Sequence, residues 1–422
     1  MSGGLRPGQV VRRIYAVALT AAIVPSFILG TLQCGDDCPN PGSPPPDATM
    51  EGGPDATTDA APTPLDAAPD SRRGDVDAAE KSGQLSGVFL LFNGTEPTDG
   101  PAWTDLCREL KSLRISTIVI QLTTNSSDVD GQAFEANITK IRSLQAACAA
   151  VDAGMEIFVG GFYPEPNGNA EVTFGDGSVG CPAFLDAGSG GTWLQSSERC
   201  STSANVKILA RLGDAGTHCY IPTEFWTAEY DDAQVRDIRT FLIQVAASCR
   251  GDGVMTRKVA ISPFVDKEAG TANAVAATWA RILADAGVNH LMLQDGVGAL
   301  SGPADRAGPY YRSLNEALAT ALGTGGGVWA NVESFEGPSD AQHPTDAGRF
   351  AAQRNAAVDA GVHRLITFEF LDYFSSNPPG LGQSCAIGAT YPDAQAYRRC
   401  RNHDAATTLN EAYRKEIDAP AP

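Results

Sequence analysis

Two carboxylates stand where apolar, β-rich segments end, a placement suited to acid–base or nucleophilic chemistry. In the segment CYIPTEFW, Glu224 follows the apolar run and is followed by Phe225 and Trp226. Glu333 is the last residue of the segment VWANVE. Two carboxyl groups that flank one glycosidic bond can cleave it, one as acid and one as nucleophile or base. Because apolar surroundings favour the protonated form of a carboxyl, Glu224 is predicted to be the general acid and Glu333 the ionised nucleophile.

Aromatic and amide side chains cluster in the same segments, as carbohydrate binding requires. Flat rings suit the faces of pyranose sugars, and amides or carboxylates suit their hydroxyl groups. The predicted stacking residues are Tyr163, Trp226 and Trp329, and the predicted polar contacts are Gln294, Asp295, Asn331 and Glu369. Asp295 is also the reserve catalytic acid, whereas Asp372 and Glu336 are interpreted as residues of the loop surface. No cofactor is predicted.

Eight short apolar runs, separated by segments of helical spacing, must position these residues. The predicted strands are 87–92, 117–122, 156–162, 218–225, 258–264, 290–294, 327–332 and 364–370. Helices are predicted at 136–152 and 232–249, and glycine stops at 154, 287 and 361. Alternating strands and helices give parallel pairing with right-handed crossovers. The expected fold class is α/β, a single (β/α)8 TIM barrel with its site at the C-terminal strand ends. An open doubly wound sheet is the alternative, although no G-x-G-x-x-G turn follows the first strand.

Three segments divide the chain of 422 residues. Residues 1–34 have the basic start and apolar run of an export signal. Residues 35–82 are rich in Pro, Asp and Ala and carry eleven acidic against three basic residues. Such a segment cannot bury enough apolar surface to offset ordering, so a disordered tether is expected, reaching roughly 35–40 Å. Residues 83–418 are the predicted barrel.

The export signal leaves two outcomes open for the mature N-terminus. Cys34 is placed like the lipidated cysteine of a bacterial lipoprotein, although Leu32 and Gln33 stand where that pattern has small residues. The alternative is an unlipidated protein with a cleaved signal or an uncleaved anchor. In either case the protein is expected to be exported, as a membrane-anchored lipoprotein or as a secreted or periplasmic protein, and any membrane contact is expected only through an N-terminal anchor.

The cysteines fit an oxidising compartment, because eight of the ten follow the tether and none forms a C-x-x-C pair. Connectivity does not follow from spacing alone. Pairing of neighbours is the hypothesis, namely Cys107–Cys148, Cys181–Cys200, Cys219–Cys249 and Cys385–Cys400.

The net charge of −19 argues against nucleic acid, since no basic stripe is present to neutralise phosphates. Five scattered histidines make a zinc site unlikely on spacing grounds. Two other functions remain open. One is a surface glycan-binding barrel without catalysis, and the other is a divalent-cation site at Asp295, Glu333 and Glu369.

Four motifs in order, YIPTEFW, ISPF, LQDGVG and WANVESFE, resemble the family of bacterial exported barrels catalogued as domain of unknown function 4434. The resemblance covers about residues 85–415 and implies a glycosidase-like barrel with a sugar-related role. The placement of Glu224 and Glu333 also resembles the retaining glycosidases with catalytic Glu after strands four and seven. Those enzymes usually have Asn before the acid, where this chain has Thr223.

Overall fold

The structure is a computed structural model that describes most of the chain after Ser82. The described residues are 83–92, 96, 100–124, 132–164, 171–173, 179–182, 192–213, 217–223, 225, 227–251, 257–265, 269–322, 326–337, 341–376 and 394–419. The predicted signal segment, the tether and Cys34 lie outside this part of the chain.

Eight parallel strands close into a barrel, as predicted. In barrel order they are β1 (Leu85–Phe92), β2 (Thr117–Thr124), β3 (Glu156–Pro164), β6 (Thr217–Ile221), β7 (Val259–Ile261), β8 (His290–Gln294), β9 (Gly327–Glu333) and β12 (Leu365–Phe368). Two antiparallel pairs stand apart from the barrel, β4 (Glu171–Thr173) with β5 (Val179–Pro182) and β10 (Phe335–Glu336) with β11 (His343–Pro344). Each of the eight predicted strands coincides with a barrel strand, and the closed order excludes the doubly wound sheet.

Helices connect the barrel strands. They are α1 (Gly100–Ser112), α2 (Gln132–Val151), α3 (Thr192–Leu212), α4 (Asp232–Ser248), α5 (Ala272–Leu283), α6 (Gly308–Leu318), α7 (Ala347–Asp359), α8 (Phe370–Tyr373) and α9 (Ala394–Asp418). The two predicted helices are α2 and α4. A capping box between Asp231 and Gln234 starts α4 by satisfying its first backbone N–H groups. Gly287 and Gly361 adopt the left-handed conformation expected of glycine stops, whereas Gly154 does not.

The barrel interior holds one apolar layer to which each barrel strand contributes one residue. The layer consists of Phe89, Val119, Phe158, Tyr220, Ala260, Met292, Trp329 and Ile366. A second, larger core lies between the strands and the helices. Since side chains alternate along a strand, this inner layer fixes which residues of each strand face inward.

A charged network lies at the N-terminal ends of the strands, the end opposite the expected site. Lys258 and His218 both lie against the carboxylate of Glu156. Burial alone would raise the pKa of Glu156, but the hydrogen bonds to these two residues outweigh it and lower the pKa to about 2. Burial also lowers the pKa of His290 to about 3, so this histidine is neutral inside the barrel.

Two of the four predicted disulfides are confirmed. Cys107 of α1 is bonded to Cys148 of α2, and Cys219 of β6 is bonded to Cys249 at the end of α4. Both link consecutive elements, as the hypothesis of neighbour pairing required. The pairings Cys181–Cys200 and Cys385–Cys400 involve side chains outside the described residues and stay predictions, although Cys400 is disulfide-bonded.

No helix in the described part of the chain has the length and apolar character needed to cross a bilayer.

Candidate active site

The seventh barrel strand, β9, directs Trp329, Asn331 and Glu333 toward the barrel axis. Trp329 belongs to the inner apolar layer, and Asn331 and Glu333 follow it at two-residue spacing. Trp329 lies against the ring of His290 at 4.6 Å and under the guanidinium of Arg364 at 5.1 Å. This tryptophan, predicted to stack on sugar, therefore has a packing role deep in the barrel, two layers below Glu333.

Glu333 lies at the C-terminal end of β9 and is held there by the loop after β8. Its Oε2 accepts a hydrogen bond of 2.8 Å from the backbone N–H of Ala299, and the residue is 2% exposed. Gly298 permits this approach, because a Cβ at that position would lie 1.9 Å from the carbonyl oxygen of Phe335. A backbone donor on a carboxylate oxygen fixes the orientation of that side chain.

Asp295 lies behind the strand ends and not in the barrel mouth. Its carboxylate accepts hydrogen bonds from the backbone N–H of Val297 at 3.0 Å and from Nε2 of Gln353 at 2.9 Å. The backbone N–H of Glu333 donates to it as well. Burial raises the pKa of Asp295 to about 6, and these donors limit the rise. Asp295 thus ties β8, β9 and α7 together next to Glu333, which is a supporting position and not that of a reserve catalytic acid.

A polar layer separates Glu333 from the apolar layer below. Ser262, which follows β7, accepts a hydrogen bond from Nδ2 of Asn331 at 3.2 Å through its hydroxyl, and its carbonyl accepts one from Nε2 of Gln294 at 2.9 Å. Oδ1 of Asn331 is buried without a hydrogen-bond partner in the described structure. The predicted polar residues Gln294 and Asn331 therefore come together one layer beneath Glu333.

Glu369 directly follows the eighth barrel strand, in a left-handed backbone conformation with φ 57° and ψ 53°. Its carboxyl group is buried beside Asp372, which binds Nε of Arg399 at 2.7 Å. Burial, followed by the charge of Asp372, raises the pKa of Glu369 well above its usual range. Asp372 is fully buried in this pair, so its interpretation as a loop surface residue was wrong. Glu336, the other residue so interpreted, is half-buried and paired with Arg349.

The cation hypothesis is not supported by the three carboxylates on which it rested. Asp295 faces Gln353, Glu333 faces Ala299, and Glu369 faces Asp372. Within the described residues no set of three or more His, Cys, Asp or Glu side chains is arranged to hold a metal ion. Each of the three side chains is instead engaged by a partner of its own.

Three predicted residues are not placed by the structure. Glu224 and Trp226 lie outside the described residues, and Tyr163 lies on β3 with a side chain outside that description. Their roles stay predictions, and so does the separation of the Glu224 and Glu333 carboxyl groups.

Sequence reasoning missed the residues that hold the site. Gln353 lies on α7, twenty positions after Glu333, and Ala299 contributes only its backbone. Neither residue carries a signal in the sequence. Ser262 stands in the ISPF motif, which contains no charged residue and therefore offered no candidate acid. Its polar side chain at an inward position was the one available signal.

The closed parallel sheet and its helices define a (β/α)8 barrel, with the buried carboxylate of Glu333 at the C-terminal end of the seventh strand. The chain belongs to the family described as Domain of unknown function (DUF4434), whose model matches residues 95–381. This confirms the resemblance stated from the motifs. No curated protein gives a significant match.

Solved structures of the same architecture include proteins named for sugar chemistry. A candidate alpha-L-fucosidase from Bacteroides thetaiotaomicron aligns with TM-score 0.52 and 15% identity, over 80% of this chain and 96% of its own. A broad-specificity GH5-4 endoglucanase from an uncultured bacterium aligns with TM-score 0.47 and 14% identity, over 80% and 95%. An endo-1,4-beta-mannanase from Rhizomucor miehei aligns with TM-score 0.47 and 10% identity, over the same shares. At such identities the likeness shows the fold alone.

Proposed function

We propose that this chain is an exported glycoside hydrolase in which Glu224 is the general acid and Glu333 the nucleophile. The observation that carries the proposal is the position of Glu333, an inward carboxylate at the end of the seventh barrel strand, held by the N–H of Ala299. Active sites of such barrels lie at this end of the strands. The named activities of the structural neighbours agree with a carbohydrate ligand.

The chain around Glu224 supports the assignment of the acid. Phe225 continues the ladder after β6, since its carbonyl accepts a hydrogen bond from the N–H of Phe264 at 2.9 Å. The ring of Phe225 packs outward against Phe241 and Trp279 in the layer of helices. Neighbouring residues of an extended strand face opposite sides, so an inward Glu224 is the geometry that we propose.

The proposed reaction proceeds by two displacements at the anomeric carbon. Glu224 gives its proton to the leaving oxygen while the glycosidic bond breaks, and a Glu333 carboxylate oxygen bonds to the anomeric carbon. Water then attacks the same carbon, Glu224 takes a proton from that water, and Glu333 leaves as a carboxylate. The sugar keeps its anomeric configuration, as expected for carboxyl groups about 5–5.5 Å apart.

The test is the turnover of a panel of polysaccharides by the exported protein and its variants. Glu224→Gln and Glu333→Gln should each lower turnover by at least about 100-fold, because each removes a group that acts in the transition state. Their thermal midpoints should stay near that of the unaltered protein. Glu411→Gln, at an exposed position of α9, is the matched control and should keep full turnover. Equal turnover by all four proteins would refute the two-carboxylate mechanism.

The stereochemistry of the product is a separate readout. NMR of the first-formed sugar should show a retained anomeric configuration. Inversion would place the two carboxyl groups at about 6.5–9.5 Å, with Glu333 activating water as a base.

Glycan binding without catalysis is the second candidate, and one observation favours it. Glu333 is almost wholly buried and its Oε2 already receives a backbone donor, an arrangement that a purely structural carboxylate would also show. A binding protein would retain glycans on an affinity gel without releasing product, and Glu224→Gln and Glu333→Gln would leave the retained amount unchanged.

A further inference from the structure

Glu369 combines three energetic costs in one residue at the C-terminal end of the barrel. Its backbone is left-handed, a conformation that disfavours residues with a Cβ because the Cβ lies too close to the following carbonyl oxygen. Its carboxyl group is buried, with the residue 4% exposed. Its Oε1 has no hydrogen-bond partner among the described residues. When such costs concentrate at a site, a functional reason is the usual explanation.

The partners of Glu369 decide which form the carboxyl group takes. It shares a hydrogen bond with the carboxyl group of Asp372, and two carboxyl groups can share one only if a proton lies between them. Nε of Arg399 binds the carboxyl group of Asp372 at 2.7 Å and Nη1 of Arg398 lies 3.8 Å from it, so the neighbouring positive charges face Asp372. Glu369 is therefore the acid that keeps the proton. Among the described residues, the other titratable groups around this pair include Tyr373 of α8, and Glu96 after β1, which acts on Arg399.

The turn at Glu369 is coupled to Glu333 on both sides. Phe368 lies opposite Glu333 in the register of the two strands, and its carbonyl accepts a hydrogen bond from the hydroxyl of Ser334 at 3.1 Å. The carbonyl of Glu369 accepts from the N–H of Tyr373 at 3.2 Å, and the ring of Tyr373 lies 5.1 Å from that of Phe335. The segment 333–335 is thus held by residues whose placement depends on this turn.

We propose that Glu369 is a positioning residue for Glu333, and that it acts as a neutral carboxylic acid. The proton that it shares with Asp372 links the turn after the eighth strand to the arginines of α9. This link holds the turn in place, and the turn positions the residues that contact segment 333–335. Only the catalytic purpose of this positioning rests on the proposed function, since the proton and the coupling are properties of the folded chain.

The proton can be tested without any substrate. Because the pKa of Glu369 is raised on folding, the folded state keeps a proton that the unfolded chain releases above the usual glutamate range. Its contribution to stability is complete at low pH and is lost as pH rises toward the folded pKa. Glu369→Gln keeps a neutral donor to Asp372 and does not titrate. Its thermal midpoint should therefore exceed that of the unaltered protein by a margin that grows as pH rises above the usual glutamate range. A margin independent of pH would overturn the neutral state of Glu369.

The coupling to Glu333 is tested by comparing Gln with Gly at position 369. Glycine adopts the left-handed conformation without strain, so Glu369→Gly removes the hydrogen bond to Asp372 and adds no backbone strain. At pH 7, hydrogen exchange of peptides covering 333–335 should be faster in Glu369→Gly and unchanged in Glu369→Gln and in the control Glu411→Gln. Equal exchange in the Gly and Gln variants would overturn the positioning role.

Turnover adds a third readout that separates this proposal from the proposed function. Glu369→Gly should lower kcat by about 100-fold, the loss expected when a reacting group is displaced by about 1 Å, with a smaller change in KM. Glu369→Gln should retain kcat. Full kcat in Glu369→Gly would overturn the positioning role. Absence of turnover in the unaltered protein would instead refute the proposed function, and the hydrogen-exchange comparison would still decide the coupling.

Discussion

The carboxyl group of Asp295 shows how one buried residue can organise a site without entering it. Burial favours its protonated form, while three N–H donors favour the carboxylate, and the balance leaves a pKa of about 6. At neutral pH the group is therefore mostly ionised and able to hold Val297, Gln353 and the backbone of Glu333. Below pH 6 it gains a proton and loses acceptor capacity toward these donors.

This balance predicts a pH dependence of stability for Asp295. Its folded pKa of about 6 exceeds the ordinary value of 3.8, so its contribution to the free energy of unfolding falls as pH rises from about 4 to about 6. At about 1.4 kcal/mol for each pH unit, the total fall is roughly 3 kcal/mol. Urea denaturation between pH 4 and pH 7.5 should show this fall in the unaltered protein and lack it in Asp295→Asn.

Asp305→Asn, at an exposed position, is the matched control and should follow the unaltered protein at every pH. Parallel curves for Asp295→Asn and the unaltered protein would mean that the donors hold Asp295 ionised throughout this range. Because Glu369 also has a raised pKa, the same measurement on Glu369→Gln separates its share of the decline from that of Asp295.

Individual roles were harder to predict than the residues themselves. The motif WANVESFE led to Glu333 because an acid after an apolar strand is visible in the sequence. Trp329 occupies the same strand face, but its depth in the barrel depends on strand tilt and on the side chains of seven other strands. Asp295 and Glu369 turn to Gln353 and Asp372, and no local spacing reveals partners that tertiary packing supplies.

At the scale of elements, the loop after β8 must approach β10 closely for Glu333 to be held. A Cβ on residue 298 would meet the carbonyl oxygen of Phe335 at 1.9 Å and Oε2 of Glu333 at 3.1 Å. Backbone atoms cannot move aside as flexible side chains can, so glycine is required by contact at this position. The loop, and not the strand alone, therefore sets the orientation of the carboxylate.

Gly298→Ala should consequently separate the loop from β10 and remove the Ala299 donor from Glu333. We expect a loss of stability of about 1–3 kcal/mol, as for other overpacked sites, together with a loss of turnover. Gly327→Ala, in the same barrel strand as Glu333, meets no atom within 4 Å and should change neither. Thermal melts and glycan assays of both variants check this, and equal midpoints for the two would contradict the close-approach argument.

The barrel strands could be predicted because each is a short apolar run, and the segments between them have apolar residues at helical spacing. Their lengths were less accurate where a run continues as irregular backbone. The predicted strand 218–225 is regular only from Thr217 to Ile221, since Pro222 has no N–H to donate to a ladder. The short pairs β4–β5 and β10–β11 were not predicted, because two to four residues are too few to show a period.

At the scale of the whole molecule, the most acidic segment and the candidate active site lie in different parts of the chain. The acidic segment 35–82, predicted to be a tether, lies in sequence between the predicted export signal and the barrel, whose candidate site lies at the C-terminal strand ends. The first barrel strand enters from the opposite end, so the chain before Leu85 joins the barrel at the face remote from Glu333. A protein attached through its N-terminus would thus present Glu333 away from the attachment point.

The final prediction concerns that attachment. If Cys34 becomes the lipidated first residue, the exported protein should sediment with membranes, because each buried CH₂ of an acyl chain contributes about 0.8 kcal/mol to binding. Cys34→Ser should move it to the soluble fraction or leave its signal uncleaved, whereas Cys38→Ser, four residues downstream, should sediment like the unaltered protein. Mass spectrometry of the mature N-terminus decides the matter directly. A first residue downstream of Cys34 without added lipid would show that the segment is a simple cleaved signal, and the tether would then end free in solution.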